Sequence, residues 1–560
     1  MDDRVDVVIA GAGGGLAGAL RAAEHGLSVL VVEADEHFRR GNNTSMSTAM
    51  FPAAGSRWQT GAGVQDSPER FLADIAAKTG GLAEPRLART LAAVSAELVE
   101  WLADVVGLPL SLVTDFTYPG HAVPRCHSVP GRHGSAVIDH LARAAAGHSD
   151  VDMLVPARLV DVRTEGGRVR AAVVRYPDGA EEEIPTRAIL LATNGFGADP
   201  ELVRRHLPEI ADALYRGGDH SRGDALRIGE KLGAATGYLD AYQGHSAVAA
   251  GAGTLVGWAT VVQGAILVDS TGQRFGDELR GYSEFAAELA ARPGGTGWIV
   301  LDEAVFQRCQ VFQDFRDTVD SGVVVRSGDA AGLARATGLP ERELTGELAN
   351  TAKYARGERA DPFGRTNWDH ALVPEYAAVR VVPALFHTQG GLLVDEHAAV
   401  VDRHDRPIPG LYAAGGAAAG ISGHGAAGYL AGNGLLPAFG LSYLAATTSP
   451  VAGRPDRNRL SEEHEWRQPN YWSPTSGWCA RRTPTTTGPT WSTSRSTTAR
   501  SFASRRVWRA TMSHGSSRGG GCWRFLAWST RTSTGASTTT SPPTPPRRAG
   551  PAPRAGSPRR

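Results

Sequence analysis

The sequence predicts an α/β fold organised on a buried parallel sheet, and three observations carry that expectation. Val5 to Ala10 (VDVVIA) is a short apolar run that ends in a glycine cluster, Gly11 to Gly15, as expected of a strand covered on both faces. Leu16 to His25 is Ala-rich and helix-favouring, with Gly26 placed to cap it, and a second apolar run, Leu27 to Val32, closes on Glu33. Apolar runs that end in glycine-rich turns recur far downstream, at Ile189 to Gly197 (ILLATNGFG) and Gly410 to Gly416 (GLYAAGG).

The first of these units, strand–glycine turn–helix–strand–acid, has a specific chemistry. Glycines let the backbone approach a pyrophosphate and let the helix pack on the strands. The helix N-terminus presents free N–H groups and a partial positive charge to phosphate. An acid at the end of the second strand accepts hydrogen bonds from a ribose, here Glu33. Read from Gly11 the glycine pattern is one residue short of GxGxxG, whereas Gly13-x-Gly15-x-x-Gly18 fits but starts late relative to the strand. Because Gly11 directly follows the strand, Gly11, Gly13 and Gly15 are the expected cofactor-binding glycines.

Composition narrows the partners. The 560 residues suggest two domains and an appendage. The formal charge of zero hides an asymmetry: residues 467–560 hold 16 Arg and no Asp, Glu or Lys, which leaves 42 basic against 58 acidic residues before them, a net of −16. An acidic body argues against a nucleic-acid partner. The four cysteines stand alone, which points to a reducing, cytoplasmic setting, and no uninterrupted apolar run is long enough to span a membrane. Cys126, His127, His133 and His140 lie close in sequence but lack fixed metal-ligand spacing, so no metal is expected.

Four later segments favour FAD over a nicotinamide cofactor. They are Arg40 to Ala49 (RGNNTSMSTA), the Ile189 to Gly197 run, Gly223-Asp224 opening a helical stretch to Gly233, and Gly410 to Gly416 leading to Gly432-Asn433-Gly434-Leu435 and a last helical stretch. A nicotinamide domain is compact in sequence; gathering such segments from over 400 residues suits one long dinucleotide.

On these residues the chain resembles the fumarate reductase/succinate dehydrogenase flavoprotein superfamily, in its soluble branch with tricarballylate dehydrogenase and 3-ketosteroid dehydrogenases. The resemblance covers roughly residues 5 to 446. It implies a two-dinucleotide-binding-type (Rossmann-like) FAD domain with an inserted α+β capping domain. The implied boundaries are 1–240 and 386–450 for the FAD-binding parts, 241–385 for the capping domain, and 451–560 for a tail. It further implies cofactor contacts at Glu33, Asn42, Asn43, Thr48 and Ala49, at the main chain of Arg158, at Asp224, and at Gly434 and Leu435. Membrane-bound members attach FAD through a histidine; Asn43 falls near that position, so the FAD is expected to be non-covalent. Gly416 stands where the family often has Glu.

The resemblance also implies the chemistry. His387-Thr388-Gln389-Gly390-Gly391 resembles the family's His-Thr-x-Gly-Gly substrate motif, and Arg274-Phe275-Gly276-Asp277-Glu278 is followed by Arg280 and Tyr282. The implied catalytic residues are Arg280, Tyr282 and His387, with His245, His387 and Tyr429 binding substrate. The expected reaction is hydride transfer between flavin and a small organic molecule at a C–C bond next to a carbonyl or carboxylate, with an external electron donor or acceptor. The arginine that clamps a second carboxylate in fumarate reductases falls on Tyr429, and an acid of their proton relay falls near Trp258. A flavin oxidase of the amine or amino-acid type, or a flavin-binding protein without turnover, are the alternatives.

After about residue 466 Asp, Glu, Lys and Ile vanish, while seven of the twelve Trp lie at Trp466 or beyond. The tail reads as a frame-shifted stretch of a GC-rich gene: Thr483 to Ala503, back-translated and moved by one nucleotide, can give the acidic string DTYHHWADLVDLEVDYGEELR. It is expected to be disordered and is assigned no function.

Overall fold

The computed structural model describes residues 4–448, apart from 116 and 119. The expectations for the tail therefore lie outside the described residues. Strand β1 (Val5–Ala10) forms where the sequence places it. Helix α1 (Gly15–Glu24) follows, and β2 (Val29–Val32) starts two residues later than expected. Helix α2 (Pro68–Thr79) is set by its own termini. Ser67 caps it by accepting from the Arg70 N–H, Pro68 occupies the first turn, and Gly80 ends it in the left-handed region. Helix α3 spans Pro85–Asp104. Strand β3 (Val151–Leu154) and a hairpin, β4 (Arg158–Glu165) and β5 (Arg168–Arg175), lead into β6 (Glu181–Leu191).

The chain then leaves this sheet. It forms β7 (Leu214–Tyr215), α4 (Asp224–Lys231), β8 (Tyr242–Ala249), β9 (Ile266–Asp269), α5 (Tyr282–Ala290), β10 (Gly297–Asp302), β11 (Val324–Ser327) and the long β12 (Tyr376–Thr388). It returns with β13 (Ala399–Val401), β14 (Pro407–Ala413) and the closing helix α6 (Leu435–Thr448).

The first sheet runs β13-β14-β6-β1-β2-β3, with β4 and β5 attached through β6. β1 is parallel to both β2 and β6, β14 is parallel to β6, and β3 is parallel to β2. Strand order therefore diverges on the two sides of β1, and the crevice beyond its carboxyl end is the place where such a sheet binds ligands. The second sheet runs β7-β12-β10-β9, with β8 and β11 also paired to β12. Two register shifts interrupt the β8–β12 pairing, one between Gln243 and Gly244 and one between His245 and Val248. Such bulges re-aim side chains, and here they flank His245.

Each sheet has its own apolar core. One core draws on residues between Val7 and Ala234 and again from Leu392 to Ala446, and the other on residues between Ala247 and Val381. A smaller cluster that includes Phe196, Tyr242, Ala286 and Leu385 bridges elements of both. No helix among the described residues is long and apolar enough to cross a membrane.

Candidate active site

One cavity of about 1770 Å³ runs from the carboxyl end of β1 to the carboxyl end of β12. Pockets for one small ligand hold roughly 300–1,000 Å³, so this space has room for more than one. At its first end the wall is backbone. Gly11 has φ +105, and a Cβ there would sit 2.2 Å from the Ala192 carbonyl oxygen, so only glycine fits between β1 and the end of β6. Gly13 and Gly14 continue the wall, and Gly14 lies against α6, where a Cβ would meet the Ala438 carbonyl at 2.3 Å. Gly15 is not part of the wall. It starts α1 and packs on the Ile9 side chain, while Gly14 takes its place in the wall.

Glu33 is buried at the end of β2 and lines the cavity. One carboxylate oxygen accepts from the Ala12 N–H at 2.7 Å and the other from the Asp35 N–H at 2.8 Å. Burial pushes its pKa above the ordinary range, and the two backbone donors pull against that shift. Its first structural task is thus to brace the glycine turn. Arg158 and Asp224 also line the cavity and are ion-paired at 2.8 Å, which ties β4 to the start of α4.

Asn42, Asn43 and Thr48 line the wall, but the two amides are already engaged. Asn42 accepts from the Ser45 N–H and donates to the Phe38 carbonyl, while Asn43 accepts from the Gly218 N–H and donates to the Phe386 carbonyl. What they offer a ligand is mainly backbone. Ala49, with φ 54, is fully buried and stands behind the wall, not in it. Gly434 and Leu435 meet the cavity at the start of α6. Gly416, the departure from the family's Glu, has a steric cause: a Cβ there would lie 2.3 Å from Asn194 Oδ1.

The other end of the cavity is walled by rings. His245 stacks on Tyr282 (4.7 Å between centroids, 21° between planes) and on Phe386 (5.3 Å, 20°). Tyr282 lies 5.9 Å from Tyr429, and Tyr429 meets His387 edge-on at 6.0 Å. Tyr282 and Tyr429 thus form a ring contact at this end of the cavity. Burial raises the pKa of both phenols, so both stay protonated at neutral pH.

Both histidines are neutral for the same reason. Burial lowers His245 to about 3 and His387 to about 4. The Ala247 N–H donates to His245 Nδ1 at 3.0 Å, which leaves the proton on Nε2 as a donor for the cavity. His387 is steadied from behind: Gln389 donates toward its ring at 3.2 Å and accepts from Ser422, and Asn433 donates to Ser422. Its Nε2 faces Gly434, where a Cβ would sit 3.0 Å away. The rest of the motif is structural: Thr388 accepts from the Phe196 N–H at 3.2 Å.

Arg280 does not reach this cluster. Its side chain is 55% exposed and paired with Glu288 at 2.9 Å, because the chain turns at Gly281 before α5 brings Tyr282 inward. The catalytic role expected of Arg280 is therefore withdrawn. Sequence reasoning missed Tyr118 and Phe386, which also line the ring end. Phe386 is adjacent to a motif residue and was legible in principle; Tyr118 lies in no motif.

The groups present fit a dinucleotide at the glycine end. The Thr193 hydroxyl and Asn433 Oδ1 are buried without a hydrogen-bond partner among the described residues, and both residues line the cavity. Buried polar atoms left so are places where a ligand completes the structure. No group of three or more His, Cys, Asp or Glu suited to a metal occurs among the described residues.

Over 424 residues the chain is 29% identical to the NADH:fumarate oxidoreductase of Klebsiella pneumoniae (strain 342), covering 75% of this chain and 45% of that protein, so it spans less than half the length of this relative. The open conformation of a flavocytochrome c3 fumarate reductase superposes with a TM-score of 0.69 at 25% identity, covering 81% of this chain and 79% of that one. A 3-ketosteroid delta1-dehydrogenase from Sterolibacterium denitrificans shares the fold with a TM-score of 0.67 at 23% identity, over 80% and 99% of the two chains. The family described as FAD binding domain matches residues 6–435, and this chain belongs to it.

Proposed function

We propose that the protein transfers hydride equivalents between FAD and a C–C bond adjacent to the carbonyl group of a neutral organic substrate. The observation that carries this reading is the uncharged ring cluster, in which Tyr282 and Tyr429 pack together beside two neutral histidines. Burial lowers the pKa of His245 and His387, with one backbone carbonyl opposing the shift at His387. A carboxylate brought here would lose a bidentate charged partner. A carbonyl oxygen needs only donors, and Tyr429 O–H and His245 Nε2–H supply them.

Bound without a covalent link, FAD would lie along Gly11, Gly13, Gly14, Glu33, the 42–48 segment and Arg158, with its ring near Gly434 and Leu435, and would supply acceptance or delivery of hydride. Asp224 holds Arg158 in place. Tyr429 polarises the carbonyl. Both phenols hold their protons at neutral pH, so in the reducing direction Tyr282 is the group placed to give a proton to the α carbon of the substrate. The oxidative direction uses the same groups in reverse. His387 and Phe386 set the substrate against the flavin position. Residues 241–385 act as the capping domain, supported by their separate core. The relatives named as fumarate oxidoreductase and fumarate reductase support CH–CH chemistry, and the ring end sets this chain's preference away from a dicarboxylate. The free, buried Cys126 and Cys309 support a cytoplasmic setting, with an external electron donor or acceptor.

Anaerobic mixing of the FAD-loaded protein with a panel of saturated cyclic ketones, amines and succinate tests the reading. Bleaching of the flavin band by a ketone supports it. Bleaching only by amines would mark an amine oxidase, and a flavin that no panel member reduces would mark a binding protein without turnover.

A further inference from the structure

The Tyr282–Tyr429 contact joins two segments that no strand pairing connects. Tyr282 opens α5, and Tyr429 lies in the loop before α6. We propose that α2 and the loop after residue 119 hold this contact together, with Lys78 and His121 as positioning residues. The inference rests on the functional reading above and assigns what keeps its two tyrosines in register.

One arm starts at the last turn of α2. Lys78 Nζ donates to the Arg280 carbonyl at 3.0 Å and pairs with Glu284. These groups flank Tyr282 on either side, and the side chains of Lys78 and Glu284 are only 13% and 8% exposed. The first turn of α5 is thus fixed from the α2 side by a buried charge.

The second arm starts one turn earlier. Asp74 accepts from Arg125 at 2.6 Å, and Asp66 accepts from Arg125 through both oxygens at 2.8 and 2.9 Å. The Arg125 guanidinium is fully buried over the Phe71 ring of α2 and also donates to His121 Nδ1 at 3.1 Å. With Nδ1 accepting, the His121 proton sits on Nε2, 3.0 Å from the Ala431 carbonyl, two residues beyond Tyr429. Burial and the Arg125 charge keep His121 neutral, at about 4, so this donor does not change through the working pH range. The loop has no slack on its other side, because a Cβ on Gly432 would meet the Pro52 ring at 2.4 Å. Both arms end on backbone carbonyls beside a tyrosine, where an ordinary surface side chain would leave the carbonyl to water.

Four FAD-loaded variants test this: Lys78→Met, His121→Leu, and the conservative Lys78→Arg and His121→Gln, which keep a donor in place. Rapid mixing with a reducing ketone should show K78M and H121L slowing flavin reduction about tenfold at saturation, with half-saturation moving less than about threefold, and the conservative variants recovering most of the rate. Crystal structures should show the Tyr282 and Tyr429 rings apart in K78M and H121L and in contact in K78R and H121Q. The proposal is overturned if the two rings stay in contact in the disrupting variants, or if H121Q loses as much rate as H121L. Should the wild type accept no ketone, the functional reading fails, while the crystal structures still decide this proposal.

Discussion

The two ends of the cavity are built in opposite ways. The dinucleotide end is made of backbone: Gly11, Gly13 and Gly14 come from one turn, and its acid, Glu33, ends the adjacent strand. The ring end is made of side chains: His245 from β8, Tyr282 from α5, Phe386 and His387 from β12, and Tyr429 from the loop before α6. A backbone wall tolerates almost no added atom but is indifferent to electrostatics further away. A wall of rings tolerates small changes of shape but depends on which groups hold a proton. Damage at the first end should therefore appear as loss of folding and cofactor, and damage at the second as loss of rate in a protein that stays yellow.

Gly11→Ala should break the first end outright. The new Cβ meets the Ala192 carbonyl at 2.2 Å in a backbone conformation that alanine resists, and strain with overpacking costs about 2–5 kcal/mol. Denaturant unfolding and FAD content should both fall; a stable, fully loaded G11A would remove the backbone-wall account. Tyr429→Phe should leave FAD content unchanged and lower kcat/KM for a ketone about 100-fold, the usual cost of one donor to a developing oxyanion. If Y429F loses its flavin instead, the two ends are not separable.

A milder test uses pH. His245 at about 3, and His121, His127 and His387 at about 4, lie below the ordinary value of 6.5 because they are buried. Between those values the unfolded chain binds protons that the folded chain does not. Stability should thus be level in their contribution above pH 6.5 and fall as pH drops toward 4, read as Tm against pH. Over pH 6 to 8 kcat/KM should stay flat as far as these histidines are concerned, and an inflection there that vanishes in His387→Gln would contradict neutral histidines at the ring end. The smallest effect belongs to Arg280→Gln. Its pair with Glu288 is on the surface, where such pairs are worth roughly 0–1 kcal/mol, so kcat/KM should change less than about threefold.

The same contrast explains what the sequence could show. The glycine turn, Glu33, the 42–48 segment and the start of α6 are local patterns, and periodicity with turn chemistry locates them within a residue or two. His387 was legible because its motif is contiguous, although Thr388 serves β6's turn and Gln389 its own histidine. Arg280 misled because residues two apart were read as sharing a site, and the turn at Gly281 separates them. Lys78 and His121 were invisible: they act on carbonyls 202 and 310 residues away, and no local spacing encodes such a partner.

The most direct test of the whole account is one anaerobic titration of the flavin band in the FAD-loaded wild type and in Tyr429→Phe, with a neutral saturated ketone and with succinate. The account predicts bleaching of the wild type by the ketone, about 100-fold slower bleaching of Y429F, and little response of either to succinate. Succinate reducing the wild type faster than any ketone, with Y429F unimpaired, would contradict it.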